Sequence, residues 1–211
     1  MKIDVNTQSS IKITGDKIIY IDPYKIEEES HDADFIFITH DHYDHFDVKS
    51  INNIKKDSTF LIVPDSIITS VFPIGFNMKN VRGVVPKEQY TIEGLTFKTV
   101  SSYNMDKPFH PQSKKYVGYI INLEETIYIA GDTDFIDELK EIECDIACVP
   151  IGGTYTMDYK EAAELINTIN PKQVYPTHYG SIVGDIELGN KFKELLKDNI
   201  ECIIVLDWLY E

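Results

Sequence analysis

Ala33-Asp34-Phe35-Ile36-Phe37-Ile38-Thr39-His40-Asp41-His42-Tyr43-Asp44-His45 joins an apolar run directly to a cluster of polar side chains. The run Phe35 to Ile38 reads as a buried strand, and three of the six histidines in the chain follow in the six residues after Thr39. Imidazole and carboxylate are the groups that bind zinc, iron or manganese, so crowding them at the end of a buried strand points to a metal site. Histidine and aspartate are also ordinary loop residues, but that alternative leaves their clustering at the carboxyl end of an apolar strand unexplained.

Upstream, Ile11 to Asp22 holds two β-branched runs around Thr14-Gly15-Asp16, the pattern of a hairpin, with Asp22-Pro23 ending its second strand. Glu27-Glu28-Glu29 reads as a solvated face. His31 lies at the opposite end of the strand, roughly 25 Å or more from His40 if the segment is extended, and is not expected to be a ligand. Downstream, Asp47 is placed to cap a helix through Ile54, Thr59 to Val63 is a strand closed by Pro64, and Asp65 to Phe72 a short helix. Val81 to Pro86, Gln89 to Ile92 and Leu95 to Val100 then alternate with period two and read as a β-meander. Ser101 to Lys115 is a long polar loop of the kind a compact domain keeps for a functional reason.

Val117 to Asn122 and Thr126 to Ala130 form a second hairpin ending in Gly131-Asp132-Thr133-Asp134, followed by a short amphipathic helix, Phe135 to Ile142. The strand Asp145 to Pro150 runs into Ile151-Gly152-Gly153-Thr154-Tyr155-Thr156-Met157. Asp158 with Glu161 makes a capping box for a helix that buries Ala162, Leu165, Ile166 and Ile169. A strand Gln173 to Tyr175, the loop Pro176-Thr177-His178-Tyr179-Gly180, a helix from Glu187 to Lys197 and a strand Cys202 to Leu206 complete the chain.

With 211 residues, one domain spanning 1–211 is expected. The 13 Tyr and 10 Phe, with charges dispersed, are the composition of a soluble globular protein. A net charge of -15 repels phosphate backbones, and the only tight basic runs are Lys55-Lys56 and Lys114-Lys115, so nucleic acid is disfavoured as a partner. Charges in Met1 to Asn6 argue against a signal peptide, no run approaches the ~20 apolar residues of a membrane span, and the expected location is the cytoplasm. Cys144, Cys148 and Cys202 are odd in number and contain no C-x-x-C pair; Cys148 and Cys202 read as buried thiols.

Several polar clusters thus follow apolar strands, and in a layered α/β protein those strand ends open onto the ligand-binding edge. His40 to His45, Asp132 and His178 sit in loops that could meet there. His40 and His42, two apart in an extended turn, can share one ion, whereas the adjacent Asp44 and His45 diverge and favour a second ion. Two ions about 3.5–4 Å apart would need a bridging carboxylate, for which Asp132 is the best candidate.

His40-x-His42-x-Asp44-His45, Gly131-Asp132-Thr133 and Pro176-Thr177-His178-Tyr179-Gly180 together resemble the metallo-β-lactamase-fold hydrolase superfamily. With Ala33 to Thr39 before the motif and Pro150 to Met157 after it, the chain looks closest to small, uncharacterised, lactonase-like members. The resemblance implies an α/β fold, the αββα four-layer sandwich, with two divalent ions, zinc foremost and manganese or iron as alternatives. It further implies His40 and His42 on the first ion, Asp44, His45 and His178 on the second, and Asp132 between them. The superfamily supplies one more histidine to the first ion from the loop before the second hairpin, and here the sequence departs, with Asn104 at that place and His110 six positions later. Either His110 reaches back or Asn104 takes part weakly; His110 is the preferred expectation because imidazole is the better ligand.

The implied activity is a metal-dependent hydrolase in which a metal-bridged hydroxide cleaves an ester, lactone or phosphoester bond in a small molecule, with Asp44 orienting the nucleophile. Tyr103, Asn104, Thr154 and Tyr179 flank the site loops and are candidate substrate contacts; Tyr155 has the same setting. The rival readings are a phosphodiesterase acting on nucleotides, a di-iron redox protein and a non-catalytic metal-binding protein. A homo-oligomer is compatible with the sequence, and no membrane partner is expected.

Overall fold

Short β-branched runs in the first third of the chain lie side by side in one six-stranded sheet. The computed structural model describes residues 1–205, which divide into two compact units, 1–85 and 86–205. In the first, β1 (Lys2–Val5), β2 (Ile11–Thr14), β3 (Ile18–Ile21), β4 (Ala33–Phe37), β5 (Lys55–Pro64) and β6 (Val81–Val84) are neighbours in that order, with α1 (Val48–Ile54) between β4 and β5 in the chain. The first three strands pair antiparallel, and β3 to β6 pair in parallel. Phe35, Ile36 and Phe37 are all buried, which is why this central parallel strand reads as a continuous apolar run and β2 as an alternation. Asp47 caps α1 as expected, accepting from the Lys49 and Ser50 amides.

Two expectations are corrected. The residues read as a three-stranded meander divide between sheets: β6 extends the first sheet beside β5, while the other two strands belong to the second sheet. Period two reports a strand but not its partner, and the 3-10 segments Asp65–Ile74 and Met78–Asn80 give the chain the length to return parallel to β5. Strand β1 was not anticipated, because its charges drew the reading; Ile3 and Val5 are buried, and Lys2 pairs with Asp4 outside.

The second unit carries a seven-stranded sheet. Its strands are β7 (Gln89–Ile92), β8 (Leu95–Ser101), β9 (Val117–Asn122), β10 (Thr126–Ile129), β11 (Ile146–Pro150), β12 (Gln173–Thr177) and β13 (Glu201–Cys202), again in sequential order. Pairing is antiparallel from β7 to β10 and parallel from β10 to β13. The capping box forms at α2 (Tyr159–Ile169), where Asp158 accepts from the Glu161 amide and Glu161 from the Asp158 amide, each at 2.9 Å. Helix α3 (Leu188–Lys193) is shorter than read, and the strand expected over Cys202 to Leu206 is corrected to β13, Glu201–Cys202: residues 203–205 lie outside any strand, and Leu206 lies outside the described residues. Among the described residues no helix is long and apolar enough to cross a membrane. All three thiols are free; burial pushes Cys144 up to about 12 and Cys202 up to about 11.

The topology sets where polar loops emerge. Strands β3, β4 and β5 run the same way, so Asp22 and Thr39 to His45 leave one edge of the first sheet. In the second sheet β8, β10, β11 and β12 share a direction, and their carboxyl ends lead into 102–116, 131–136, 151–158 and 178–187.

Opposite the first edge, two ion pairs tie the strand starts together. Asp32 accepts from Lys12, Ser30 and Tyr20 at 2.8, 2.8 and 2.9 Å, and Asp34 accepts from Lys56 at 2.7 Å and the Ile18 amide at 2.8 Å. Burial alone would raise both carboxyls, but these donors outweigh it and hold both below the ordinary value. A carboxyl depressed in the folded state stabilises fully above its unfolded pKa of about 3.9 and loses that contribution as pH falls through the lower folded value. The urea midpoint should therefore fall below about pH 4, and Asp34→Asn should flatten that fall. An equally steep acid limb in the variant would refute the assignment.

Candidate metal centre

In the first unit the site is built on a buried carboxylate that the sequence marked only as a strand end. Asp22 accepts from the Thr39 amide at 2.8 Å, the Thr39 hydroxyl at 2.6 Å and His45 Nδ1 at 2.8 Å. Burial pushes this carboxyl up, and His45 and the Thr39 donors pull against it. Because the Thr39 hydroxyl gives its proton to Asp22, its 2.9 Å contact with His40 Nδ1 must be one in which the ring donates. His40 and His45 are therefore both set as Nδ1–H tautomers, with Nε2 as the basic nitrogen. Histidine held at one ring nitrogen by a carboxylate or hydroxyl is the usual support for a metal-binding imidazole.

Residues after His40 turn tightly, with the His45 and Phe46 amides both donating to the His42 carbonyl. The turn brings the His40 ring centroid within 4.6 Å of His42 and 4.0 Å of His45. Asp44 Oδ2 lies 3.7 Å from His45 Nε2 and accepts from Gln8 Nε2 at 3.3 Å. His40, Asp44 and His45 are buried, His42 is half-buried, and Asp41 and Tyr43 face solvent. Gln8, in the left-handed backbone region, was missed by the sequence reading; nothing in Thr7 to Ser10 signals a long-range partner.

In the second unit Asp132 is the hub. Its Oδ2 lies 3.4 Å from His110 Nε2 and 3.2 Å from His178 Nε2, and all three side chains are buried. Asp132 follows β10, and the Ser102 hydroxyl donates to its carbonyl at 3.0 Å. Thr133 ties the same turn to the Tyr103 backbone. His178, after β12, takes a left-handed backbone conformation (φ 56) and packs its carbonyl over Gly152. A Cβ at Gly152 would lie 2.2 Å from the His178 carbonyl oxygen. Gly152→Ala should thus displace His178, lowering Tm by about 2–12 °C for a cost of about 1–3 kcal/mol and reducing bound metal. Unchanged melting and metal content would show that the close approach has no consequence.

Other expected residues separate by environment. Thr154 is exposed, and Tyr103 is half-buried with its hydroxyl 3.4 Å from Glu138. Tyr179 is buried with its Cβ near Gly184 and its ring against Gly189, and Asn104 is buried with its amide engaged at both ends. Tyr155 meets Phe109 edge-on at 4.6 Å. His31 sits at the far end of β4, its Nδ1 2.8 Å from the Lys55 carbonyl. Asp134, two residues after Asp132, was passed over in the sequence although it anchors the 104–110 loop through the Met105 amide and Lys107.

Each unit thus offers imidazole and carboxylate oxygens in the mixture that divalent zinc, manganese and iron accept, with ring orientation already held from behind. These two sheets and this donor set define a protein of the metallo-β-lactamase fold, class α/β. Residues 3–178 match the beta-lactamase superfamily domain. The chain belongs to that family, among metal-dependent hydrolases. A metal-dependent hydrolase of Nanoarchaeum equitans is 31% identical, across 86% of this chain and 85% of its own. A crystal structure from Parabacteroides distasonis, described as a metal-dependent hydrolase, matches with a TM-score of 0.80 and 30% identity, covering 96% of this chain and 91% of that one. The metallo hydrolase Igni18 of Ignicoccus hospitalis shares the fold, with a TM-score of 0.74 and 22% identity over 96% of this chain and 94% of its own.

Proposed function

We propose that the chain hydrolyses an ester, lactone or phosphoester bond in a small molecule at a dinuclear centre. His40, His42 and His110 would hold one ion, Asp44, His45 and His178 the other, and Asp132 would bridge. The observation that carries this reading is Asp132 Oδ2 flanked by the Nε2 atoms of His110 and His178, one imidazole for each ion. Bound divalent ions, zinc foremost, would supply a water activated near neutral pH and polarise the bond it attacks.

The chain's own contribution is orientation and proton control. Asp44, steadied by Gln8, accepts a hydrogen bond from the attacking water and so aims its lone pair at the substrate. Asp22 and Thr39 keep His40 and His45 in the tautomer that offers Nε2. Thr154 and Tyr103 remain as substrate contacts, whereas Tyr179 is assigned to packing and Asn104 to positioning. A small substrate fits the charge of -15, and Lys107, the cation between Asn104 and His110, is committed to Asp134. Three free thiols, two of them buried, accord with a cytoplasmic setting.

The test is elemental analysis joined to a panel of generic ester, lactone and phosphodiester substrates. Chelation should abolish turnover, and zinc or manganese should restore it. Asp44→Ala should lower kcat by about 10²–10⁴. Turnover surviving that substitution at full metal content would overturn the role of Asp44, and a metal-loaded protein inert to the panel would favour a non-catalytic metal-binding protein.

A further inference from the structure

Asn104 makes more polar contacts than a loop residue needs, and their directions settle the state of His110. Its Nδ2 lies 3.0 Å from Asp134 Oδ1 and 2.9 Å from the Tyr155 carbonyl oxygen. Carbonyl oxygens only accept, so the amide nitrogen belongs there and Oδ1 faces the other way. On that side Oδ1 receives two contacts from one residue, the His110 backbone amide at 3.0 Å and His110 Nδ1 at 3.0 Å. An amide oxygen cannot donate. In the neutral ring the proton therefore sits on Nδ1, and Nε2, the nitrogen 3.4 Å from Asp132 Oδ2, holds the lone pair.

The far end of the amide is held as firmly. Asp134 accepts from the Met105 amide at 2.9 Å and from Lys107, whose ammonium also donates to the Thr156 carbonyl at 3.0 Å. The Asn104 amide donates to the His110 carbonyl at 2.8 Å, so the loop is closed on itself between those two residues.

We propose that Asn104 is a positioning residue, which fixes His110 as the Nδ1–H tautomer and presents Nε2 as the donor to the ion, with Asp134 and Lys107 bracing the amide from behind. Asn104 thus does for His110 what Asp22 and Thr39 do for His45 and His40. The use of this role rests on the metal centre proposed above; the tautomer itself is a property of the protein alone.

The decisive experiment is long-range proton–nitrogen correlation of the histidine rings in ¹⁵N-labelled, metal-free protein, followed by zinc affinity from chelator competition. Wild-type His110 should show a protonated Nδ1 and an unprotonated Nε2. Asn104→Leu should lose the single tautomer and bind one of two zinc ions about 10–100-fold more weakly, the usual effect of removing a group that supports a ligand. Lys107→Met, which removes a donor to Asp134 and leaves Asn104 in place, should shift affinity in the same direction by less. An Nε2–H ring in wild-type protein that binds two ions would overturn the positioning role alone. So would unchanged affinity and tautomer in Asn104→Leu, or two-ion occupancy in His110→Ala with one ion lost in Asn104→Leu, which would make Asn104 itself the ligand. Where Asn104→Leu does not fold, the wild-type tautomer decides. Wild-type protein that binds no zinc would sink the metal centre and this role together.

Discussion

Asp132→Ala protein, purified and dialysed against zinc, is expected to retain less than half the metal of wild type and to show no turnover above background. Asp132 Oδ2 lies within 3.4 Å of His110 Nε2 and 3.2 Å of His178 Nε2, so its loss removes a shared negative charge between two imidazoles rather than one ligand of one ion. In the dinuclear centre proposed above, each ion would lose a donor and the charge repulsion between the ions would no longer be offset. Removing a ligand to a single ion, as in His178→Ala, should leave about one ion in place. Comparable metal loss in the two variants would mean that Asp132 does not bridge. Both substitutions shorten a side chain without altering a strand, so melting temperature serves as the control for folding.

The second large effect is on stability. Asp22→Ala deprives the Thr39 amide, the Thr39 hydroxyl and His45 Nδ1 of their common acceptor in a fully buried setting. Breaking a buried, hydrogen-bonded group of this kind costs about 3–5 kcal/mol, or a fall in Tm of about 6–20 °C for a chain of this length. Asp22→Asn should recover part of that loss, since one amide oxygen can still accept, but the amide must turn its NH₂ toward one of the former donors. Thermal unfolding followed by circular dichroism separates these cases, and equal stability of Asp22→Ala and wild type would show that water replaces the carboxylate without cost. Zinc affinity should fall in parallel, because His45 would no longer be held to one tautomer.

The elements legible in the chain were those whose signal is local. Phe35 to Ile38 ahead of His40, the Asp47 cap and the Asp158–Glu161 box each depend on residues within a few positions, and the structure has them where they were expected. The candidate ligands were legible for the same reason, since histidine and aspartate clustered behind strands carry chemistry in their identity. What escaped depends on partners far along the chain. Asp22 meets Thr39 and His45, Gln8 meets Asp44, and Asp134 meets Asn104, across separations that no spacing rule addresses. The split of the meander belongs here too, because period two is the same for a strand in either sheet. Asn104 shows the difference most plainly: it was read as a departure from a ligand pattern, whereas in the structure its side-chain oxygen accepts from both the backbone amide and Nδ1 of His110.

The closed loop from Asn104 to His110 has a bearing on how this protein could diversify. Its two ends are stapled by the Asn104 amide and side chain, and Lys107 pins its middle to Asp134. Met105 and Phe109, by contrast, are 64% and 41% exposed, and Asp106 is exposed beside them. Mutational drift, or a saturation library, could therefore recast those three side chains as a cassette next to the proposed centre while the staples keep the His110 imidazole in register.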